Sequence, residues 1–410
     1  MTIGLCAGIP LQDPADTCRH GAVFLLRDKP NADATVTLGG WTTTVAASTR
    51  AVVTYGRSSA ANFNDTHPDA LRAANNALDY MCIRGWCDAA VRLDSDDCLV
   101  WWPEPAVGAV LRARVILTTR TQINASVSVT DASGKAVLEP PPPTPAQHDA
   151  FRFIRMSRTS EYLFDSYRNM FLALERLLSD IRPLNVGPNG RPVESEKAWF
   201  TAALQQADAL VPVTKLAPPG ESAPIDWVYA NMYADERSAL SHAKPGRYLL
   251  PQDDAGRAEL RTSLQRLWAY VRELVGAVLG VNYNMSGFYH SGWELLTKPT
   301  FDNMALFVTS KNPSSIRPDD DATDLIEVPS DPPCKEGPML ITRSGTLDVA
   351  NLRTSDGIWI AGAVAPAPGD ALSIASELPG PLLLGTSLAR FEMVVGVRNL
   401  NMADVPNFSA

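Results

Sequence analysis

The sequence predicts an α+β, multidomain protein: a central four-helix bundle flanked by an α+β N-terminal domain and a β-rich C-terminal domain. Three observations lead there. Apolar residues recur at intervals of three and four from His148 to about Val281. Short runs rich in β-branched residues lie before and after that stretch. Pro140-Pro141-Pro142-Pro143-Thr144-Pro145 separates the first block from the helices, and such a run enters neither a helix nor a central strand. The boundaries that follow are 1–138 for the N-terminal domain, 139–147 for a proline-rich linker, 148–285 for the helical domain and 286–410 for the C-terminal domain. The chain of 410 residues holds 32 Pro against 26 Gly, which excludes one long coiled coil and favours several folded blocks with stiff connectors.

Each element has a local reason. Gly21 to Leu26 is an apolar run and Ala34 to Val45 alternates with many Thr and Val, so both read as strands. Leu71, Ala74, Leu78 and Met81 mark a helix over His67 to Ile83, with Thr66 as its cap and Gly85 as its stop. Leu99 to Trp102 and Ala109 to Val129 are strands, and Asp131 to Gly134 is a turn. In the helical block, Phe151 to Leu178 is a first helix ended by Pro183. Glu194 to Leu210 is a second, Ile225 to about Ala243 a third before Pro245-Gly246, and Gly256 to Leu279 a fourth. Phe301 to Ser310, Leu325 to Val328, Met339 to Thr342, Gly357 to Val364 and Phe391 to Val397 are strands separated by Pro, Gly and Asp.

The formal charge of −9 argues against a dedicated duplex-DNA binder, which spreads basic surface along phosphates. No run of some 20 apolar residues suggests a membrane span. The N-terminus lacks the basic start of a secretory signal. Six cysteines are too sparse for a disulfide scaffold and form no C-x-x-C pair; Cys82 and Cys87 read as two buried thiols beside a helix end. The five histidines form no metal motif, and Asp319-Asp320-Asp321 with Asp324 reads as a solvated loop. The expectation is a reduced, cytoplasmic protein with neither metal nor cofactor.

The third helix carries Glu236-Arg237-Ser238-Ala239-Leu240-Ser241-His242, an R-x-x-x-x-H pattern just before the Pro245-Gly246 stop. With this motif in a helical block, the chain resembles the HEPN superfamily, whose mark is a small helical bundle bearing the same pattern. Tyr167 to Leu178 resembles the first helix of that superfamily's larger members, and Tyr229 followed by Arg237 and His242 looks like their third-helix signature. Over 151–280 the chain is also similar to the Apea-like members and to proteins called methylamine-utilisation accessory proteins. The sequence departs at Ser238, where the family often has Asn, Asp or His; serine hydrogen-bonds but carries no charge. The resemblance implies a metal-independent endoribonuclease with a composite site in a homodimer, of the kind used in bacterial stress or anti-phage defence. The alternative is a non-catalytic scaffold that binds a nucleotide or partner protein.

The residue types suit that chemistry. A guanidinium such as that of Arg237 is always charged and grips phosphate oxygens bidentately. A histidine such as His242 exchanges protons near neutral pH. RNA brings its own nucleophile, the 2′-hydroxyl, so cleavage to a 2′,3′-cyclic phosphate and a 5′-hydroxyl needs no metal. On a regular helix Arg237 and His242 stand ~140° apart with a rise of ~7.5 Å, so two copies across a two-fold axis would complete one site. Ser238, Glu175, Arg168 and Asn169 are candidate supporting residues, with Glu175 orienting Arg237. Arg152, Arg155, Arg158, Lys244 and Arg247 are candidate contacts to single-stranded RNA. The plain structural alternative pairs Arg237 with Asp235, Glu236 or Glu175 and leaves His242 beside a helix C-terminus.

Overall fold

The computed structural model describes residues 3–13, 19–92, 97–105, 107–119, 130–135, 147–242, 248–251, 256–281, 290–312, 325–337, 339–352, 357–364 and 372–399. The proline run at 140–145, the acidic run at 319–321 with Asp324, and residues 120–129 of the expected long strand lie outside them.

β1 (Gly4–Cys6) and β2 (Ile9–Pro10) form a tight antiparallel pair. β3 (His20–Leu25) is buried at all six positions, the mark of a strand covered on both faces. The Thr/Val run is a hairpin rather than one strand: β4 (Ala34–Leu38) turns into β5 (Trp41–Val45). Gly39 and Gly40 both hold positive φ, 57° and 82°, as the tight hairpin turn that matches strand twist requires. β6 (Ala51–Gly56) leads to α1 (Phe63–Ile83). Asn62 rather than Thr66 caps α1, its side chain accepting from Asp65 N at 3.0 Å. Leu71, Ala74, Leu78 and Met81 are buried as the spacing requires. Just beyond α1, Cys87 is buried but Cys82 is exposed and donates to Asp88 at 3.3 Å. β7 (Cys98–Glu104) and β8 (Gly108–Thr119) pair as a second hairpin.

The expected first helix of the helical block is two helices, α2 (Asp149–Thr159) and α3 (Leu163–Ile181). The break has a local cause. Thr159 Oγ1 and Ser160 Oγ donate back to the carbonyls of Arg155 and Met156, at 3.0 and 2.7 Å, and Ser160 leaves the helix with ψ 138°. Ser157 Oγ then ties the pair together by donating to Ser166 O at 2.6 Å. α4 (Glu196–Asp208) is capped by Ser195. The third helix begins as α5 (Pro224–Trp227), continues as a π-helix over Val228–Arg237 and ends as α6 (Ser238–Ser241). α7 (Arg257–Leu279) closes the group. These helices share one core, with Tyr167, Phe171, Phe200, Met232, Leu267 and Leu274 among its buried side chains.

α8 (His290–Asp302) precedes β9 (Ala305–Thr309), so the expected strand from Phe301 starts four residues late. β10 (Leu325–Val328), β11 (Cys334–Gly337), β12 (Leu340–Asp348), β13 (Trp359–Val364), β14 (Leu372–Ala375), β15 (Leu382–Leu384) and β16 (Leu388–Asn399) follow.

The sheet topology overturns the expected arrangement of a central four-helix bundle between two flanking domains. Nine strands form one mixed sheet in the order β11-β12-β16-β8-β7-β3-β6-β5-β4. β16 lies between β12 and β8, antiparallel to the first and parallel to the second from Leu388 opposite Ala109 to Asn399 opposite Thr119. The segments before and after the helices therefore build one sheet-rich unit, residues 1–119 with 290–399. Two smaller sheets, β15-β1-β2 and β10-β9-β13-β14, belong to the same unit. α1 packs on β3, β4, β6 and β7. The helices between are not a regular four-helix bundle either, because their first member is broken and their third is largely π-helical.

Candidate functional site

The R-x-x-x-x-H residues sit where the third helix changes form. Arg237 is the last residue of the π-helix and Ser238 the first of α6. Residues four apart lie close together on one side of this helix, as they do on an α-helix. Tyr229, Tyr233 and Arg237 use that register. The two tyrosine rings stack at 5.5 Å and 18°, and the Arg237 guanidinium lies over the Tyr233 ring at 4.7 Å. Lys197 of α4 covers the other end of the column, 4.7 Å from the Tyr229 ring centre.

Glu175 of α3 meets this column, with Oε1 3.3 Å from Arg237 Nη2. Both side chains are half-buried, 17% and 31% exposed, so the pair is shielded from bulk water more than a surface bridge. Burial pushes the Glu175 carboxyl up; the Arg237 charge opposes this and Glu196 adds to it. Glu196 accepts the Tyr233 hydroxyl at 2.7 Å, and burial together with that bond holds the phenol well above its usual range. One guanidinium thus pairs with Glu175, while Glu196 is engaged by the Tyr233 hydroxyl. A phosphate must compete with Glu175 for that guanidinium.

Next to Arg237 in sequence, Glu236 points into the core. It accepts from the Tyr167 hydroxyl at 2.7 Å and from Ser263 Oγ at 2.6 Å. Burial raises its carboxyl, and those two hydrogen bonds partly offset the shift. Of the three acids that sequence offered Arg237, Glu175 is its ion-pair partner and Glu236 belongs to this separate network.

His242 leaves the helix. As the residue after α6 it takes φ −139° and ψ 112°, and its backbone N–H closes the last turn on Ser238 O at 2.9 Å. The ~140° helical separation therefore does not apply to its side chain. That side chain is exposed. Among the described residues no hydrogen bond, ion pair or ring contact joins it to Arg237.

The other candidates are scattered. Arg168 pairs with Asp165 at 3.0 Å, and Asn169 donates to Asp165 O at 2.8 Å, so both are engaged within α3. Arg152 and Arg155 are exposed on α2. Arg158 instead lies over the Trp268 ring at 4.8 Å. Lys244 and Arg247 lie outside the described residues. The sequence reading missed Tyr233 beneath Arg237, and Glu196 and Lys197 as further members of the column. The four-residue spacing of Tyr229, Tyr233 and Arg237 was the available signal for the first of them. Among the described residues no three His, Cys, Asp or Glu side chains gather as metal ligands, and no helix is long and apolar enough to cross a membrane. Compared with known protein families, with curated proteins and with solved structures, this chain finds no match.

Proposed function

We propose that the helical unit acts on RNA as a metal-independent endoribonuclease of HEPN type, with Arg237 and His242 completing a site only when two copies meet. The observation that carries this reading is the placement of Arg237. It is preorganised by Glu175 and by the Tyr233 ring, yet remains half-exposed, one short helix away from an exposed His242. A guanidinium held in this way loses little freedom on meeting a phosphate. An exposed imidazole is available to move the 2′-hydroxyl proton. Because the two side chains do not meet within one chain, the second copy is required. The substrate would be single-stranded RNA, with Arg152 and Arg155 as exposed cations for its backbone.

The test is cleavage of a single-stranded RNA in EDTA by wild type, Arg237→Ala and His242→Ala. Wild type should give 2′,3′-cyclic phosphate ends, and each variant should lose at least a hundredfold in rate with its circular dichroism unchanged. Mixing the two inactive variants should restore part of the activity through mixed dimers. Activity that survives either substitution would sink the proposal.

A second reading has its own observation. With Glu175 paired to it and Glu196 near enough to raise the Glu175 carboxyl, Arg237 sits in a locally acidic setting that suits an internal ion pair better than an anion site. On that reading the unit is a non-catalytic scaffold, and wild type does not cleave RNA under any condition in the same assay.

A further inference from the structure

We propose that a cavity across one end of the nine-stranded sheet binds an uncharged, hydroxyl-rich small molecule, a short saccharide. The cavity measures about 1120 Å³, at the upper end of the usual range for small-molecule sites. Its walls come from one edge of six consecutive strands. β12 and β7 end there, at Asp348 and Glu104, while β16, β8 and β3 begin there. The loop after β6 contributes Ser58 and Ser59. At ~4.8 Å between strands the opening runs roughly 20–25 Å, the shape of a trough for an elongated ligand.

The chemistry of the wall selects the ligand. His20 is 7% exposed and lines the cavity. Its Nε2 lies 2.9 Å from Ala60 O, a carbonyl that only accepts, so Nε2 carries the proton and Nδ1 is left as a lone-pair acceptor. Nδ1 has no hydrogen-bond partner among the described residues. Burial lowers the imidazole below its ordinary value, which keeps it neutral at pH 7 despite Asp69 nearby. A lone pair held in place repels an anion and welcomes a hydroxyl donor.

The charges cancel. Glu104 is neutralised by Arg390, which also meets Glu392 at 3.0 Å, and Glu392 in turn meets Arg112 at 2.7 Å. Of the other charged wall residues, Arg19 is a cation and Asp348 an anion; Asp348 spends one oxygen on Ala350 N at 2.9 Å and keeps the other. Ser58 Oγ is already engaged, donating to Asp69 at 2.9 Å and accepting from Ala60 N at 3.1 Å, so the wall, without net charge, offers acceptors, Nδ1 and carboxylate oxygens, with the exposed Ser59 hydroxyl as either partner. A ligand rich in hydroxyl donors and without charge matches that inventory. A polyamine finds too little negative charge, and a polycarboxylate too little positive charge.

The test titrates the full chain with glucose, cellobiose and maltotriose, and with spermidine and citrate as charged probes, by calorimetry and saturation-transfer NMR. At least one saccharide should bind saturably. His20→Phe should weaken it by tenfold or more, and so should Ser59→Trp, which fills the trough from an exposed loop where the fold is undemanding. Near-UV circular dichroism checks that both variants stay folded. Absence of saccharide binding overturns the proposal, as does binding unchanged in Ser59→Trp, or binding of spermidine or citrate alone.

Discussion

Two residues show how closely local chemistry is matched to its surroundings. At Gly21 on β3, a Cβ would stand 2.2 Å from Trp101 Cζ2 and 2.4 Å from Thr54 O. Trp101 is fully buried in β7 directly opposite, so the glycine is the seat of the indole. Gly21→Ala forces either the ring or the strand to move. Overpacking of this kind costs ~1–3 kcal/mol or more, so urea unfolding should show at least ~2 kcal/mol lost, and Trp101→Phe in the same chain should recover part of it. A Gly21→Ala protein as stable as wild type would refute this packing. Arg237 is a similar case. Its presence in a motif was legible, and so was Glu175 as a partner, because a carboxylate in an otherwise apolar helical face needs a cation. Tyr233 was legible only through its four-residue spacing, and Glu196, which accepts the Tyr233 hydroxyl, was not, because it arrives from another helix. His242 was legible as a motif residue, but its exit from the helix depends on the backbone after Ser241.

At the scale of elements, α8 and β6 went unread, and the lengths and endings of others were misjudged. α1 was visible from its apolar spacing, but its cap lies at Asn62 because the Asn62 side chain reaches Asp65 N. The α2–α3 break was hidden because the apolar pattern runs on through it; hydroxyl groups folding back onto carbonyls interrupt the backbone without disturbing the pattern. The π-helix was invisible for a related reason, since the same apolar spacing serves both helix types. At the start of β7, Asp97 does the work of a strand neighbour. It is 7% exposed and accepts Ile116 N at 3.0 Å. Burial pushes its carboxyl up to about 7, with the Glu377 charge adding while backbone hydrogen bonds and Arg92 oppose. The folded state thus holds this proton more tightly than the unfolded chain. Its contribution is fully present below the unfolded value of about 3.8 and is lost as pH rises through about 7. The full span corresponds to about 4 kcal/mol at most. Asp97→Asn keeps the acceptor and removes the titration. Its melting temperature should vary less than that of wild type between pH 4 and 7 and exceed it at pH 8. An unchanged pH slope would refute this role.

For the whole molecule, the decisive fact is that β16 lies inside the sheet. Residues 1–138, taken alone, would end on β8 with its long edge unpaired, since β12 and β16 are supplied from beyond residue 339. An exposed edge of that length promotes association. That fragment should be unfolded or aggregated by NMR dispersion and light scattering, and co-expression with residues 286–410 should rescue it. A folded monomer of 1–138 would contradict the sheet order. Among the described residues, the helical stretch 148–281 has a core made of its own side chains. The sequence by itself determined most of the helical stretches and the main strands, though not β6 or α8, and which Arg, Glu and His are candidates for chemistry, because periodicity and residue type are local properties. The tertiary structure alone decided that two distant segments share one sheet, that the Arg237 guanidinium lies over the Tyr233 ring, and that six strand ends line an open trough. Strand pairing and burial join residues hundreds of positions apart, and no local pattern encodes which partner a strand will find.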